Sequence, residues 1–496
     1  MQPVFNQVGG SCGSASRISY MLGYELNSHR GEEADNLTTQ YPSHFTWLLT
    51  GQNSSKADIA KFNGVPNAFY YSGFPVSTKY GGENIYWPDE EEAPDYGWMN
   101  GYSRWINAMH NRLDRNVFLD LSKEENLEIL KGWMHNHLDD ADFHEGGVAG
   151  AGVATGGMNM VPIPDTLHEG GKLIVKNWGP QVDHGTTWSG YDDSIAYDFN
   201  GDGRITNDVD LNNDGKIDMA DWERGALIML NSWGDGWANN GTVYVPYRLL
   251  KINNMNAELY YIKKNYEPKK VMKVKMEYSK RCNLKLSIGI AADTSATRPD
   301  TTIACHHFIN AGNGEVPLLG RWADGEIHDE PMEFALDLTD LTKKVDTSKP
   351  HKYFLYILTK RFTRGEGKLH NLSVVDFENE KEEYIYNTDT VNFTGNDSKY
   401  IGISLPGKES DSNQTDVKKI STIAGDFEIY NNYPNPFNPT TNISFYLPKS
   451  QNVQVSVFNV KGQLVQELVN RPLSKGKHNL NFNGAKLSSG IYFYKV

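Results

Sequence analysis

Cysteine is scarce. Three occur in 496 residues, at positions 12, 282 and 305, too few for a disulfide framework to hold a chain of this length together. Long apolar runs are missing as well: no stretch approaches the roughly 18 residues that a membrane-spanning helix needs. Basic charge is in deficit, with 48 Lys and Arg against 62 Asp and Glu and a formal net charge of -14. That balance argues against nucleic acid as a partner, because phosphate binding is carried by Lys and Arg. The glycine-rich run from Gly146 to Thr155 lacks the Gly-Lys-Ser/Thr ending and the following helix of a phosphate loop, so a closely packed strand is expected there. Met1 stands almost on top of the first motif, with no charged and apolar leader before it, and the start of an exported chain is expected to be missing.

Aromatic residues at 12% and this chain length imply two to four folded domains. Cys282 and Cys305 fall in neighbouring strand-like segments, where they either pair or lie as buried free thiols. Cys12 is the odd thiol left for chemistry. It heads a helical pattern, Ser14 to Asn27, with apolar Ala15, Ile18, Leu22 and Leu26 at three- and four-residue intervals. A thiol at a helix start ionises more easily than a free one. Asn231 sits between the apolar run Ala226 to Leu230 and the aromatic pair Trp233 and Trp237. A buried amide there is costly unless its partners are fixed, so it is expected to orient another group. His184, in Asp183-His184-Gly-Thr-Thr-Trp-Ser-Gly190-Tyr191, is the candidate. Thiol, histidine and asparagine supply a nucleophile, a base and the orienter of that base. Further helices are expected at 102–112 and 124–137, and His110, His135, His137 and His144 are expected in packing or surface roles, since no acidic or thiol partner recurs at ligand spacing.

Asn231-Ser-Trp233-Gly-Asp-Gly-Trp237-Ala-Asn-Asn-Gly241 and the His184 segment resemble the papain-like cysteine peptidases. The resemblance implies a helical half packed on an antiparallel β half, hydrolysis of peptide bonds without a catalytic cofactor, and a protein or peptide substrate. It gives Cys12 as nucleophile, His184 as base, Asn231 as its orienter, Trp233 as the cover over their bond and Gln7 as an oxyanion donor. The strand from the glycine-rich run would lie beside the one bearing His184. One stretch departs from the family, which has Cys-Gly-Ser-Cys where this chain reads Cys12-Gly-Ser-Ala15. An ungapped register, which also aligns Ser19 and Glu25, puts Ala15 at the nucleophile's place and leaves an inactive surface binding module. Counting from Gln7 favours Cys12, one residue short of the family's interval.

Between His184 and Asn231 lies an acidic insert, residues 198–221, with seven aspartates against Arg204 and Lys216. Asp210, Asn212, Asp214, Asp218 and Asp221 take positions 1, 3, 5, 9 and 12 of a calcium loop, with Gly215 at 6 and the carbonyl of Lys216 at 7. Asp198, Asn200, Asp202 and Gly203 begin a second copy whose twelfth position falls on Val209. The pair resembles the duplicated loops of dockerin modules, and structural Ca2+ is the implied cofactor.

The fold class expected is multidomain α+β: a papain-like domain over 1–265, a β-sandwich over 266–398, a polar linker over 399–426 and a second small β-sandwich over 427–496. Alternating or apolar strand-length runs at 271–278, 284–288, 333–338, 353–357 and 372–377 carry the first sandwich. In the last segment Tyr433-Pro-Asn-Pro-Phe437, the alternation of Val453, Val455 and Val457 and a turn at Lys461-Gly462 resemble the C-terminal sorting domain of the bacterial type IX secretion system. That resemblance implies a secreted or surface-attached protein handled by the secretion machinery, and a sorting domain that lacks its last strand here.

Overall fold

The apolar spacing of Ala15, Ile18, Leu22 and Leu26 produces a helix that the computed structural model extends over 12–30, in three consecutive segments: α-helical Cys12–Ser14, π-helical Ala15–Leu22 and α-helical Gly23–Arg30. The structure describes all residues except 8–9, 50–97, 306–316, 319, 322–326, 329, 360–364, 379–381, 387–389, 408–427, 430–431, 433–436, 438, 448–449, 460–462, 488–489 and 491. Ala15, Ile18, Met21 and Leu22 are fully buried, so hydrophobic burial holds this helix more than propensity does. It stops at Gly31, whose left-handed backbone (φ 64°) closes the last turn on Asn27 and Ser28.

The helix lies against a sheet of eight strands. Their order is Leu113–Asp120, Asn256–Ile262, Ala149–Val153, His184–Ala196, Arg224–Leu230, Thr242–Pro246, Leu173–Asn177 and Asn159–Pro162. Every pairing is antiparallel except that of Leu173–Asn177 with Thr242–Pro246. The glycine-rich run forms the strand Ala149–Val153, in register with the histidine strand at Val153↔His184 and Ala151↔Thr186. Met229, Val243, Val245, Leu227 and Trp188 fill the core beneath.

Two helices differ from expectation at their ends. Tyr102–Ala108 stops short of Arg112: three-residue turns at His110 and Asn111 unwind it, and Arg112 is drawn into an ion pair. Glu124–Asn136 ends where His137, Leu138 and Asp139 take left-handed backbones (φ 53°, 57° and 66°). That turn swings His137 inward, with its Nε2 2.5 Å from Glu25 Oε2 and both side chains wholly buried. His137 therefore has the packing role expected of it.

The strands Lys270–Tyr278, Leu284–Ala291, Met332–Asp337, His351–Thr359 and Glu366–Asp376 fall on the five runs read from the sequence, split between two sheets. The linker boundary at 399 needs correction. Ser398–Leu405 is a strand paired along its length with His351–Thr359, and Ile401, Ile403 and Leu405 point into the core. The remainder of the linker, from 408, lies outside the described residues. Of the two alternatives for Cys305 the structure has the second: it is a buried free thiol, pushed up to about 12 by burial. Its N–H donates to Leu286 O (2.8 Å).

The eight-stranded sheet and the sandwich belong to one compact unit, Met1–Val375 with Tyr384–Val417, and the expected 265/266 division falls inside it. Trp98–Met99 pairs with Gly320–Arg321, the Gly101 N–H donates to Glu333 O (2.8 Å), and the Glu333 N–H donates to Asn100 Oδ1 (2.5 Å). Arg112 Nη1 lies 2.7 Å from Asp337 Oδ2 with both side chains buried. The Tyr266 ring packs under that guanidinium, 4.4 Å away, and its hydroxyl donates to the same carboxylate.

The second unit, Asp376–Glu383 with Lys418–Val496, carries two three-stranded sheets: Glu428–Ile429, Thr440–Leu447 and Gly476–Asn483, and Leu464–Leu473, Gln451–Asn459 and Tyr492–Lys495. Val453, Val455 and Val457 are buried as their alternation predicts. Tyr433 to Pro436 and the Lys461-Gly462 turn lie outside the described residues.

Breaking the Arg112–Asp337 pair from one side, by Arg112→Met or Asp337→Ala, strands a buried charge and should cost about 3–5 kcal/mol. Urea unfolding should shift as one transition, and a split into two transitions with one unmoved would show that sheet and sandwich unfold separately.

Candidate active site

The N-terminal segment brings the glutamine to the asparagine. Gln7 N–H donates to Ser232 O (2.7 Å), Gly234 N–H donates to Phe5 O (3.2 Å), and Asn6 bridges to Trp233. Ser232 Oγ donates to Gln7 Oε1 (2.5 Å), fixing the amide beside Asn231.

His184 opens its strand, and the residue before it anchors that end. The Asp183 carboxylate accepts the Thr155 N–H and hydroxyl (2.7 and 2.8 Å) and the Gly156 N–H (2.8 Å). Burial raises the Asp183 carboxyl, but these bonds and the nearby His184 imidazole outweigh it and hold it below the usual range. Asn231 follows the strand Arg224–Leu230 and is fully buried. Its N–H donates to Gly241 O (2.9 Å). Its Oδ1 accepts the Ser232 N–H (2.7 Å) and lies 2.7 Å from His184 Nε2. Because the Ser232 N–H identifies Oδ1 as the acceptor, Nε2 is the nitrogen that carries the proton, and Nδ1 is left for another partner. Trp233 lies over the imidazole (centroids 4.5 Å apart, 34° between planes), and Trp237 meets Trp233 edge-on at 5.7 Å.

That other partner is Cys12. It is the first helical residue and 7% exposed. Burial raises its thiol, but a hydrogen bond with His184, the Gly185 and Gly13 N–H groups and the imidazole charge together leave it below its ordinary value. Glycine at 185 eases this approach, since a Cβ there would make a tight contact 3.0 Å from Gly13 Cα. Ala15 is fully buried, its N–H closing the first turn on Ser11 O (2.8 Å). The group meeting His184 is thus the Cys12 thiol, together with Asn231, while Gln7 lies against Ser232 on the flank.

The acidic insert folds into two matching loops. Asp198 Oδ2 accepts the Gly203 N–H and Asp210 Oδ2 the Gly215 N–H, each at 2.9 Å. Asn200 and Asp202, like Asn212 and Asp214, accept N–H groups two residues on. Asp221 closes the second loop by accepting the Leu211, Asn212 and Asp218 N–H groups. In the first loop Val209, at the twelfth position, is 43% exposed. Its closing carboxylate is Glu223, buried, accepting the Phe199 N–H (2.8 Å) and Thr206 N–H (3.0 Å), the same second and ninth positions that Asp221 serves. Sequence spacing missed Glu223 because it follows both loops. Among the described residues no three His, Cys, Asp or Glu side chains gather as a metal centre would.

Residues 431–496 match the family model described as the secretion system C-terminal sorting domain. The chain is therefore a secreted or cell-surface protein carrying a type IX sorting domain. Among the described residues no helix is long and apolar enough to cross a membrane. No curated protein matches the sequence. Solved structures that resemble the chain include cysteine proteases. Xylellain from Xylella fastidiosa is 11% identical over 52% of this chain and 82% of its own (TM-score 0.32). A Carica candamarcensis cysteine protease in complex with E-64 is 13% identical over 52% and 92% (TM-score 0.24). The cysteine protease and lectin-like domains of Cwp84, a surface layer associated protein of Clostridium difficile, are 11% identical over 82% and 87% (TM-score 0.30). These scores are too low to establish a shared fold.

A lowered thiol keeps its thiolate as pH falls, so alkylation of Cys12 by iodoacetamide should persist below the free-thiol value of about 8.5 and decline only at the lowered one. A rate–pH curve on the native chain checks this, and a midpoint at the free-thiol value would contradict it.

Proposed function

We propose that this chain is a cysteine peptidase that hydrolyses peptide bonds outside the cytoplasm. The supporting observation is one imidazole shared by two partners: Asn231 Oδ1 at 2.7 Å from Nε2, and the thiol of Cys12 hydrogen-bonded to the same ring. Cys12 gives its proton to His184 and attacks the scissile carbonyl. The oxyanion is taken up by Gln7 and the Cys12 N–H. His184 then protonates the leaving amine, and a thioester remains on Cys12. Water, deprotonated by His184, attacks the thioester and releases the acid product with the thiol restored. Asn231 holds the ring through both halves of the cycle.

The competing reading is an inactive binding module, favoured by the ungapped register that sets Ala15 at the nucleophile's place. Turnover of fluorogenic peptides separates the two. Cys12→Ala should lower kcat by several orders of magnitude, on the order of 10⁶-fold where a nucleophile acts with its base as a unit. A wild type without turnover would favour the binding module.

The two acidic loops are proposed calcium sites. Asp198, Asn200, Asp202 and the Arg204 carbonyl would serve one, and Asp210, Asn212, Asp214, the Lys216 carbonyl and Asp221 the other, all hard oxygen donors suited to that ion. Calcium would offset the repulsion of seven aspartates and stabilise the native chain by mass action. Adding a chelator should lower the melting temperature and calcium should restore it. An unchanged melt would remove the proposal.

A further inference from the structure

Behind the thiol and imidazole lies a buried ion pair that the chemistry above leaves unused. Arg17 Nε is 3.2 Å from Glu258 Oε2, with side chains 9% and 3% exposed. Arg17 Nη1 donates to Ala151 O (3.2 Å) and to Ser16 Oγ (3.3 Å). Ser16 Oγ donates its one hydrogen to Thr186 O (2.5 Å), so the contact with Thr187 Oγ1 (2.9 Å) is donated by the threonine. Asn116 Nδ2 donates to Glu258 Oε1 (2.8 Å), completing the carboxylate's partners. One guanidinium thus joins the Cys12 helix to the strands Ala149–Val153 and Asn256–Ile262, and through Ser16 to the histidine strand two residues beyond His184.

Both flanking strands make room for it. A Cβ on Gly150 would stand 3.2 Å from Arg17 Cζ, and one on Gly185 would stand 3.3 Å from Nη1. Gly185 is also the residue whose N–H reaches the Cys12 thiol, so the guanidinium and the thiol share one backbone neighbour. An aliphatic pair would bury as well and commonly gives equal or greater stability than a buried ion pair. It would not fix a spacing, whereas a planar fork with hydrogen bonds in set directions does.

We propose that Arg17, held by Glu258, is a positioning residue: it fixes the first turns of the Cys12 helix against the strand bearing His184 and so sets the thiol–imidazole distance. This rests on the peptidase reading and deepens it. Arg17's partners are Glu258, Ala151 and Ser16, and it acts through where Cys12 stands.

The experiment uses the full chain with Arg17→Met, Arg17→Lys and the double variant Arg17→Met/Glu258→Met. Each is read by its melting temperature, by the pH midpoint of iodoacetamide alkylation mapped to Cys12, and by kcat and KM on a peptide. Arg17→Met should melt lower and raise the alkylation midpoint by about one unit, a tenfold loss of thiolate at acid pH, with kcat reduced and KM little changed. The double variant leaves no charge unpaired, so it should recover most of the melting temperature and keep the raised midpoint. Recovery of both would overturn the proposal and leave the pair a purely structural one. If Arg17→Met does not fold, Arg17→Lys, which keeps the charge without the fork, decides: a wild-type midpoint overturns the proposal, and a raised one supports it. A wild-type chain whose Cys12 alkylates like a free thiol removes the peptidase reading and this inference with it, an outcome distinct from normal wild-type reactivity unchanged in every variant.

Discussion

The hydrogen bond from His184 Nε2 to Asn231 Oδ1 is the constraint on which the rest of the site depends. It costs a fully buried amide, stabilised because Ser232 N–H shares the same oxygen and Gly241 O takes the backbone N–H. With Nε2 committed, only Nδ1 can serve a thiol. The helix from Cys12 must then come close enough to supply one. Each neighbouring feature answers to that requirement: glycine at 185, the anchored Asp183 before the histidine, Trp233 over the ring, and the N-terminal segment paired with Ser232–Gly234.

Much of this was legible in the residues. Asn231 beside two tryptophans, His184 heading its own segment and Cys12 at a helix start are local signals, and the structure joins Cys12, His184 and Asn231. The choice between Cys12 and Ala15 was not legible, because the ungapped register and the count from Gln7 disagree. Three-dimensional packing favours Cys12, since Ala15 turns into the core while the first helical residue faces the imidazole. Strand positions in the sandwich followed from alternation, which also runs through Ile401, Ile403 and Leu405. There the polar residues just after it obscure the alternation, and the sequence alone suggests a linker where the chain forms a strand.

What sequence could not supply was pairing over long separations. Glu223 closes a loop that begins at Asp198, Arg17 meets Glu258, and Arg112 meets Asp337; nothing local marks any of these partners. Each is a charge buried in the folded chain, where an unpaired ion is costly and a paired one ties distant segments together. The Arg112–Asp337 pair links the sandwich to the eight-stranded sheet within one compact unit. The sorting domain is a separate unit built on its own valine and phenylalanine core, in keeping with a segment recognised by machinery of its own.

The central claim is that folding turns Cys12, alone among the three cysteines, into a peptidase nucleophile. Treating the native chain with a thiol-directed peptidyl epoxide and mapping the adduct by mass spectrometry tests it directly. The expected result is one adduct, on Cys12, lost on prior denaturation and absent from Cys12→Ala. No adduct on Cys12 in the native chain, or equal labelling of Cys12 and Cys305 after unfolding and none before, would contradict it.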